Sequence, residues 1–149
     1  MKNYKYLYIK SDSNLYNQVI EMRYKVFFKP FKCSMDTVFD VLEKESIHLV
    51  CCYKNIVVGY GRLNIIRKIA QISQLVVKEE HRKKGIGYKI MEELTYKSRD
   101  LEIEKAILNA KIEAVSLYRK LGYKTIGEEF PSIKTGLPHI RMEKILGNV

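Results

Sequence analysis

Polar and apolar positions alternate with two different periods along this chain, and its first part predicts a strand followed by helices. Residues 4–9 alternate aromatic or aliphatic side chains with lysine, the pattern of a strand with one wet face. An apolar stripe at helical spacing then predicts a helix that Pro30 ends, and it consists of Leu15, Val19, Met22 and Val26. A second helix is expected to begin at Ser34 or Asp36, with an inward face formed by Met35, Val38, Phe39 and Leu42.

The middle of the chain carries the longer apolar runs that are typical of buried strands. Residues 47–53 and 56–65 predict a hairpin with a two-residue turn. Gly59 and Gly61 leave two positions of its second strand without side chains, which indicates either a bulge or the close approach of a ligand. Residues 69–77 then predict a strand that we expect at the centre of a sheet.

The second half of the chain predicts a helix, a strand and a second helix. The first helix follows a charged loop, and its apolar face consists of Gly87, Ile90, Met91 and Leu94. A strand lies within residues 101–110, and the next helix ends at Gly122. This order indicates a right-handed crossover that makes residues 72–77 and 105–109 parallel neighbours.

Two closing strands, around residues 123–130 and 139–145, complete the predicted architecture. A length of 149 residues suits one domain with one core. We therefore expect a single α/β domain spanning residues 1–149, with the mixed sheet of an α+β fold. Its expected order is one strand, two helices, antiparallel strands, a central strand–loop–helix–strand–helix unit and two closing strands.

Composition narrows the class of protein. Hydrophobic residues make up 46% of the chain and charged residues 30%, which is typical of a folded domain. No apolar run reaches the length of a membrane span or of a secretory signal, so we expect a cytoplasmic protein without a membrane partner. Cys33 stands alone, and the neighbours Cys51 and Cys52 should point to opposite faces of a strand as free thiols. The three histidines are scattered, so no metal site is expected.

The formal net charge of +10 permits an acidic partner such as nucleic acid or a polyanionic cofactor. Lysine is spread through the whole chain, however, so a general compositional bias is an alternative source of most of the charge. The one compact basic run is Arg82-Lys83-Lys84. A basic nucleic-acid-binding module is therefore an alternative that no familiar motif supports.

The basic run leads into Gly85-Ile86-Gly87, where a strand passes through a short loop into the start of a helix. Two glycines let a ligand approach the backbone, and the first amides of a helix suit a phosphate. A dinucleotide fingerprint requires a third small residue where this chain has Ile90, and the triphosphate-binding Gly-Lys-Ser/Thr run is absent from the sequence. The loop is therefore predicted to bind a different phosphate ligand.

Residues 82–87 resemble the Arg/Gln-x-x-Gly-x-Gly/Ala signature of the GNAT superfamily of N-acetyltransferases, and residues 114–123 resemble its Ala-x-x-x-Tyr-x-x-x-Gly-Phe/Tyr segment. The resemblance implies transfer of an acetyl group from acetyl-coenzyme A to a primary amine, by direct attack in a ternary complex. It implies a pyrophosphate-binding loop and a pantetheine arm between two splayed strands. The implied cofactor-binding residues are Leu75, Val76, Val77, Arg82, Lys83, Lys84, Gly85, Ile86, Gly87 and Tyr88.

The same resemblance gives Tyr118 the role of donating a proton to the departing thiolate. Many family members carry a glutamate on the strand before the loop, but this strand carries Gln74, which is no base. His139 is the candidate base, although a strand-end histidine that only makes structural hydrogen bonds is the interpretation that we favour slightly. Water or a lowered acceptor pKa are further alternatives.

Two segments are similar to the ElaA-like branch of the superfamily, residues 23–28 and residues 136–142. The first segment suggests two residues that bind the acceptor substrate, namely Arg23, through an acceptor carboxylate, and Phe27. The ordinary alternatives are a solvated helix arginine, which we favour for Arg23, and a core or pocket-wall aromatic for Phe27.

The acceptor is expected to be a small-molecule amine or a peptide amine. A domain of the same fold that binds acyl-coenzyme A as a sensor or scaffold without turnover is an open alternative, because the strand glutamate is missing. A homodimer is also left open.

Overall fold

Seven strands form one mixed sheet in the computed structural model, which describes residues 3–133 and 135–147. The strands are β1 (Lys5–Ile9), β2 (Ile47–Tyr53), β3 (Ile56–Ile66), β4 (Ile69–Val77), β5 (Lys105–Lys111), β6 (Lys124–Pro131) and β7 (Pro138–Ile145). Their order across the sheet is β1-β2-β3-β4-β5-β7-β6. All neighbouring pairs are antiparallel except β4 and β5, which are parallel. The predicted mixed sheet and its central parallel pair are confirmed.

The helices cover the two faces of the sheet. They are α1 (Tyr16–Arg23), α2 (Ile86–Asp100) and α3 (Val115–Lys120). Ile90 and Leu94 of α2 lie in a core cluster that also contains Tyr118 of α3, whereas Val19 of α1 lies in a separate cluster with Val76. Since Val76 belongs to β4, α1 packs on the face of the sheet opposite α2.

The strand turns follow the sequence closely. Lys54 and Asn55 join β2 to β3 with φ angles of 50° and 66°. Arg67 and Lys68 join β3 to β4 with φ angles of 50° and 64°. Two successive positive φ angles identify tight turns whose twist matches that of the flanking strands. The hairpin and the bounds of β4 were therefore predicted correctly.

The predicted second helix near Asp36 is wrong, because the structure has only 3₁₀ turns at Met35–Val38 and Glu43–Glu45. Asp40 accepts the backbone N–H of Leu42 at 3.1 Å, a local bond that competes with helical hydrogen bonding. The same Asp40 carboxylate also binds Arg62 of β3 at 2.9 Å. The predicted inward face is only partly correct, since Val38 is buried whereas Met35 and Phe39 are exposed.

β4 and β5 pair only at their first residues, from Ile69 with Lys105 to Gln71 with Ile107. Beyond that point Gln74 has a φ of 61°, and the register between β3 and β4 shifts. A residue in the left-handed region bends a strand as a β-bulge does. Residues 72–77 therefore separate from β5, and the predicted bounds of the parallel pair are wrong, because residues 69–71 make the pairing in their place. The separation agrees with the splayed strands that the family resemblance implied, although the residue pattern itself gave no signal of it.

Gly59 and Gly61 let α2 approach the sheet. A Cβ added to Gly61 would lie 2.6 Å from Ile90 Cγ2, and one added to Gly59 would lie 2.9 Å from Ile86 Cγ2. Helix packing therefore occupies the space over both glycines, and the ligand alternative for them is wrong.

Cys51 and Cys52 lie in the two different core clusters, so their side chains point to opposite faces as predicted. Both are free thiols, as is Cys33. Over residues 3–133 and 135–147, no helix has the length and apolar character needed to cross a bilayer.

Candidate functional site

A cavity of about 620 Å³ opens where β4 and β5 separate. Its walls come from the second half of β4, the end of β5, the start of α2, α3 with the turn before it, the segment after α1, and the connection from β6 to the start of β7. The predicted residues that line it are Phe27, Leu75, Val76, Val77, Arg82, Gly87, Tyr118 and His139. One opening thus brings together residues from four separate parts of the sequence.

The loop before α2 presents free backbone donors at one end of this cavity. Gly85 has a φ of 81°, and no side chain caps the helix that follows. The N–H of Lys89 makes the first helical bond, to the Gly85 carbonyl at 3.0 Å. The amides of residues 86–88 precede this first helical donor, so they have no acceptor within the helix and are available to a ligand. Arg82 Nε donates to the Val77 carbonyl at 3.1 Å and ties the loop to β4.

These groups fit a diphosphate. Amides at the positive end of a helix dipole favour an anion, and the exposed side chains of Arg82, Lys83 and Lys84 add positive charge beside them. Ile86 contributes through its backbone alone, because its side chain is buried in the core against Gly59. The side chains of Lys83, Lys84 and Tyr88 stay outside the cavity lining.

Tyr118 places a phenol on the opposite wall. Its side chain is 9% exposed, and its ring meets Tyr123 edge-on at a centroid distance of 6.5 Å. Over the described residues no buried polar side-chain atom lacks a hydrogen-bond partner, so the unpartnered Tyr118 oxygen is open to the cavity. Burial, followed by the neighbouring Tyr123, raises the pKa of Tyr118 to about 12. The phenol therefore stays protonated at neutral pH and is a donor.

His139 lines the same cavity from β7. Its Nδ1 lies 2.9 Å from the Leu137 carbonyl, which only accepts hydrogen bonds. We therefore assign the proton of the neutral ring to Nδ1, which leaves Nε2 as an acceptor. The structural hydrogen bond and a free Nε2 coexist in this residue.

Arg23 does not line the cavity, and the favoured interpretation of a solvated helix arginine is wrong. Its side chain is fully buried, with 0% exposure. Its guanidinium donates to Glu43 at 2.9 Å, to the Val38 carbonyl at 3.0 Å and to Gln74 Oε1 at 3.4 Å. Phe27 is part of the cavity wall, as its alternative interpretation predicted.

Arg23 belongs to a buried ionic cluster, which we define as Arg23, Arg62, Asp40 and Glu43. Glu43 bridges both arginines, at 2.9 Å from Arg23 and 3.1 Å from Arg62. Burial alone would raise the pKa of Glu43, but hydrogen bonds from Arg23 and Tyr16 outweigh it and hold that pKa below its usual value. Two cations and two carboxylates leave the cluster without net charge.

The buried ionic cluster holds the bulge of β4 from behind. Arg62 Nε donates to Ser73 Oγ at 3.1 Å, while Arg23 binds the Gln74 amide oxygen. Both Ser73 and Gln74 line the cavity. Sequence reasoning missed this arrangement, since Arg23 and Gln74 are 51 residues apart and no periodic pattern links them.

Lys111 and Asn109 are further cavity residues that were missed. They lie at the end of β5, where alternation with the buried Leu108 and Ala110 is the only signal of their orientation.

Comparisons with known proteins agree with this geometry. The family model described as an acetyltransferase (GNAT) domain matches residues 15–146. The uncharacterized N-acetyltransferase YjcF of Bacillus subtilis strain 168 is 34% identical over 124 residues, covering 83% of this chain and 87% of that protein. Escherichia coli ElaA, a solved structure, is 18% identical with a TM-score of 0.79, covering 97% of this chain and 99% of that chain. An aminoglycoside 6'-N-acetyltransferase complexed with coenzyme A has a TM-score of 0.79 at 16% identity, covering 97% and 98%.

Proposed function

Because the chain belongs to the GNAT family of acetyltransferases, we propose that it transfers an acetyl group from acetyl-coenzyme A to a primary amine in a ternary complex. The observation that carries this proposal is the single cavity between β4 and β5, which has free helix amides at one end and the Tyr118 phenol on its wall. A loop that suits a diphosphate and a donor that suits a leaving thiolate thus open into one space.

Placement of the donor falls to the loop and to β4. Arg82, Lys83, Lys84 and the amides from Gly85 to Tyr88 bind the diphosphate, and the backbone of residues 75–77 binds the pantetheine arm. Lys78 donates its N–H to Val58 of β3 at 2.8 Å, and N–H groups alternate sides along a strand. The N–H of Val77 therefore points away from β3, towards the cavity, and is our candidate donor to the thioester oxygen.

Acetyl-coenzyme A supplies the acetyl group, and side chains of the protein donate and accept the protons. As the amine nitrogen bonds to the acetyl carbon and the carbon–sulfur bond breaks, Tyr118 gives its proton to the departing sulfur. His139 Nε2 takes the proton that the amine loses, directly or through water.

Glu113 is the single carboxylate among the described cavity-lining residues, and it is accompanied by Arg82 and Lys111. This positive surplus lowers the pKa of a bound amine and favours its neutral, nucleophilic form.

The sensor alternative rests on Gln74. A chain with an amide in place of the strand glutamate, and with that amide bound to Arg23, suits a protein that binds acyl-coenzyme A without turnover. We keep it as the second candidate. The acceptor class, a cytoplasmic location and a homodimer remain predictions.

Thermal unfolding with and without acetyl-coenzyme A tests the binding step. At about a hundred times its dissociation constant the ligand should add about 2.7 kcal/mol of stability and raise the melting temperature. Replacing Arg82 with alanine should reduce the shift, and replacing the exposed Lys120 should not. No shift at millimolar ligand would rule out both the enzyme and the sensor.

Release of free thiol across a panel of amines tests turnover. Amine-dependent release supports the transferase. A thermal shift without any amine-dependent release favours the sensor.

A further inference from the structure

We propose that the acceptor of this chain is an amine that also carries a carboxylate, and that Lys111 binds that carboxylate beside an apolar wall formed by Phe27. This inference rests on the proposed acetyl transfer and specifies its second substrate. It assigns to Lys111 a role in substrate specificity.

Lys111 lies at the end of β5, in the wall of the cavity. Its neighbour Ala110 is buried in the core cluster shared with α2 and α3, and successive residues of a strand point to opposite faces. The Lys111 side chain therefore lies on the α1 face. There its Nζ sits 5.6 Å from the centre of the Phe27 ring, and Phe27 packs with α1.

The ammonium of Lys111 is available to a ligand. It is half-buried and lines the cavity, and it forms no ion pair with any residue in the described part of the chain. By contrast Lys105, on the same strand and face, pairs with Glu143 at 3.6 Å. A cation held over an aromatic ring and left without a carboxylate attracts an anionic group of a ligand.

The other charges nearby do not compete for this role. The buried ionic cluster behind Ser73 and Gln74 is neutral, so it adds no net charge beside the cavity. Arg82 is bound to the Val77 carbonyl and belongs to the diphosphate loop. Among the described residues that line the cavity, Lys111 is thus the lysine or arginine that remains for the acceptor side.

The remaining wall of this side is apolar or neutral. Beside Phe27 it contains Val26, Phe31 and Leu137, and the one lining carboxylate, Glu113, is exposed. An acceptor with an apolar group next to its amine therefore packs that group against these side chains and displaces water from them, while its carboxylate binds Lys111. Amino acids with apolar side chains have this combination of groups.

Two matched pairs of amines test the proposal, namely L-phenylalanine against 2-phenylethylamine and L-leucine against 3-methylbutylamine. Each pair differs by the carboxylate, which also lowers the pKa of the neighbouring amine, so rates are compared at equal concentrations of the neutral amine. We expect kcat/KM for thiol release to be about tenfold higher with the carboxylate in at least one pair, the scale of one hydrogen bond to a charged group. In Lys111→Met this preference should disappear, with KM for acetyl-coenzyme A unchanged.

Lys105→Met is the matched control, because it removes a lysine from the same strand and face outside the cavity, and its preference should equal that of the wild type. Equal rates within both pairs, or a preference that survives in Lys111→Met, would overturn the inference. So would a rise in KM for acetyl-coenzyme A in that variant, which would place Lys111 on the donor side. A thermal shift with acetyl-coenzyme A but no turnover of L-phenylalanine or L-leucine would reject this acceptor class and leave donor binding intact. No thermal shift would reject both.

Discussion

Tyr118 combines a buried ring with a hydroxyl that is open to the cavity, so its two halves can be separated by mutation. Tyr118→Phe keeps the edge-on contact with Tyr123 and removes the proton donor. We expect kcat to fall by about a hundredfold, the usual scale of a general acid, while the dissociation constant for acetyl-coenzyme A stays within about twofold. Steady-state kinetics with a reactive amine and calorimetry with the donor measure the two quantities.

The exposed Tyr96 of α2 provides the control, because Tyr96→Phe removes a hydroxyl outside the cavity and should leave kcat unchanged. An unchanged kcat in Tyr118→Phe would remove Tyr118 from the mechanism. A large loss of donor affinity would give it a binding role instead.

Gly85 shows how a single backbone angle supports the loop. No atom lies within 4 Å of a Cβ added at Gly85, so a side chain would have space there. The φ angle of 81°, however, is unfavourable for most residues other than glycine. Gly85→Ala should therefore lower the free energy of unfolding by about 1 kcal/mol through backbone strain and weaken donor binding as the amides turn away. Denaturant unfolding and the thermal shift with acetyl-coenzyme A measure these effects.

Gly85→Asn is the matched variant, because asparagine tolerates the left-handed region better than alanine does. It should recover part of both losses. Identical behaviour of the two variants would mean that the backbone angle is not what matters at this position.

At single positions the sequence indicated which residues have a special role better than it indicated which side chains those residues contact. The glycines of the loop and Tyr118 were recognisable because their spacing is local, within six and ten residues of chain respectively. Arg23 was misjudged because its burial depends on Glu43 and Gln74, which lie 20 and 51 residues away along the chain. Side chains paired across such separations carry no periodic signal.

Among the elements, α2 depends on a glycine in the strand beneath it. A Cβ on Gly61 would lie 2.6 Å from Ile90 Cγ2 and 3.0 Å from Leu94 Cδ1, closer than real side chains pack. Gly61→Ala should therefore destabilise the protein by about 1–3 kcal/mol through overpacking and, by displacing the start of α2, weaken donor binding. Urea unfolding of the variant and the wild type gives the difference.

Gly87→Ala is the stability control for this prediction, since its Cβ would lie 3.8 Å or more from Val77, Leu117 and Leu75. A helical alanine there should unfold at the same urea concentration as glycine or a higher one. Equal stability of Gly61→Ala and the wild type would contradict the packing argument.

Elements with a regular period were predictable, and those shaped by distant charges were not. The bounds of β4 followed from an apolar run between a polar turn and a charged loop. The segment around Asp40 had apolar residues at helical spacing, but Asp40 and Glu43 turn towards the arginines of the buried ionic cluster. The separation of β4 from β5 depends on the backbone angle of Gln74, for which a glutamine gives no sequence signal.

For the whole molecule, the buried ionic cluster joins three parts of the chain on the α1 face. Arg23 belongs to α1, Arg62 to β3, and Asp40 and Glu43 to the segment between α1 and β2. Their side chains also hold Ser73 and Gln74 of the β4 bulge. Stability of the fold and the shape of the cavity therefore depend on the same carboxylates, which makes both sensitive to acid.

The direction of this acid sensitivity follows from the pKa shifts. Arginine hydrogen bonds overcome the effect of burial and lower the pKa values of Glu43 and Asp40, and burial lowers the pKa of His48. A group with a lowered folded pKa stabilises the protein above its unfolded pKa and loses that contribution as pH falls through its folded pKa. The wild-type free energy of unfolding should therefore begin to fall below about pH 6.5, as unfolded histidine protonates, and fall faster below about pH 4.

Glu43→Gln tests the cluster directly. It leaves Arg23 buried without its carboxylate, which should lower the free energy of unfolding at pH 7 by about 3 kcal/mol. Urea unfolding between pH 3 and pH 8 should also show a shallower acid loss, because the variant no longer protonates at this position. Glu45→Gln, on an exposed residue of the same turn, should change stability by less than about 0.5 kcal/mol.

If Glu43→Gln does not fold, Asp40→Asn gives a weaker version of the test, because its carboxylate is more exposed than that of Glu43. An acid profile that neither substitution alters would mean that other carboxylates control the unfolding of this protein.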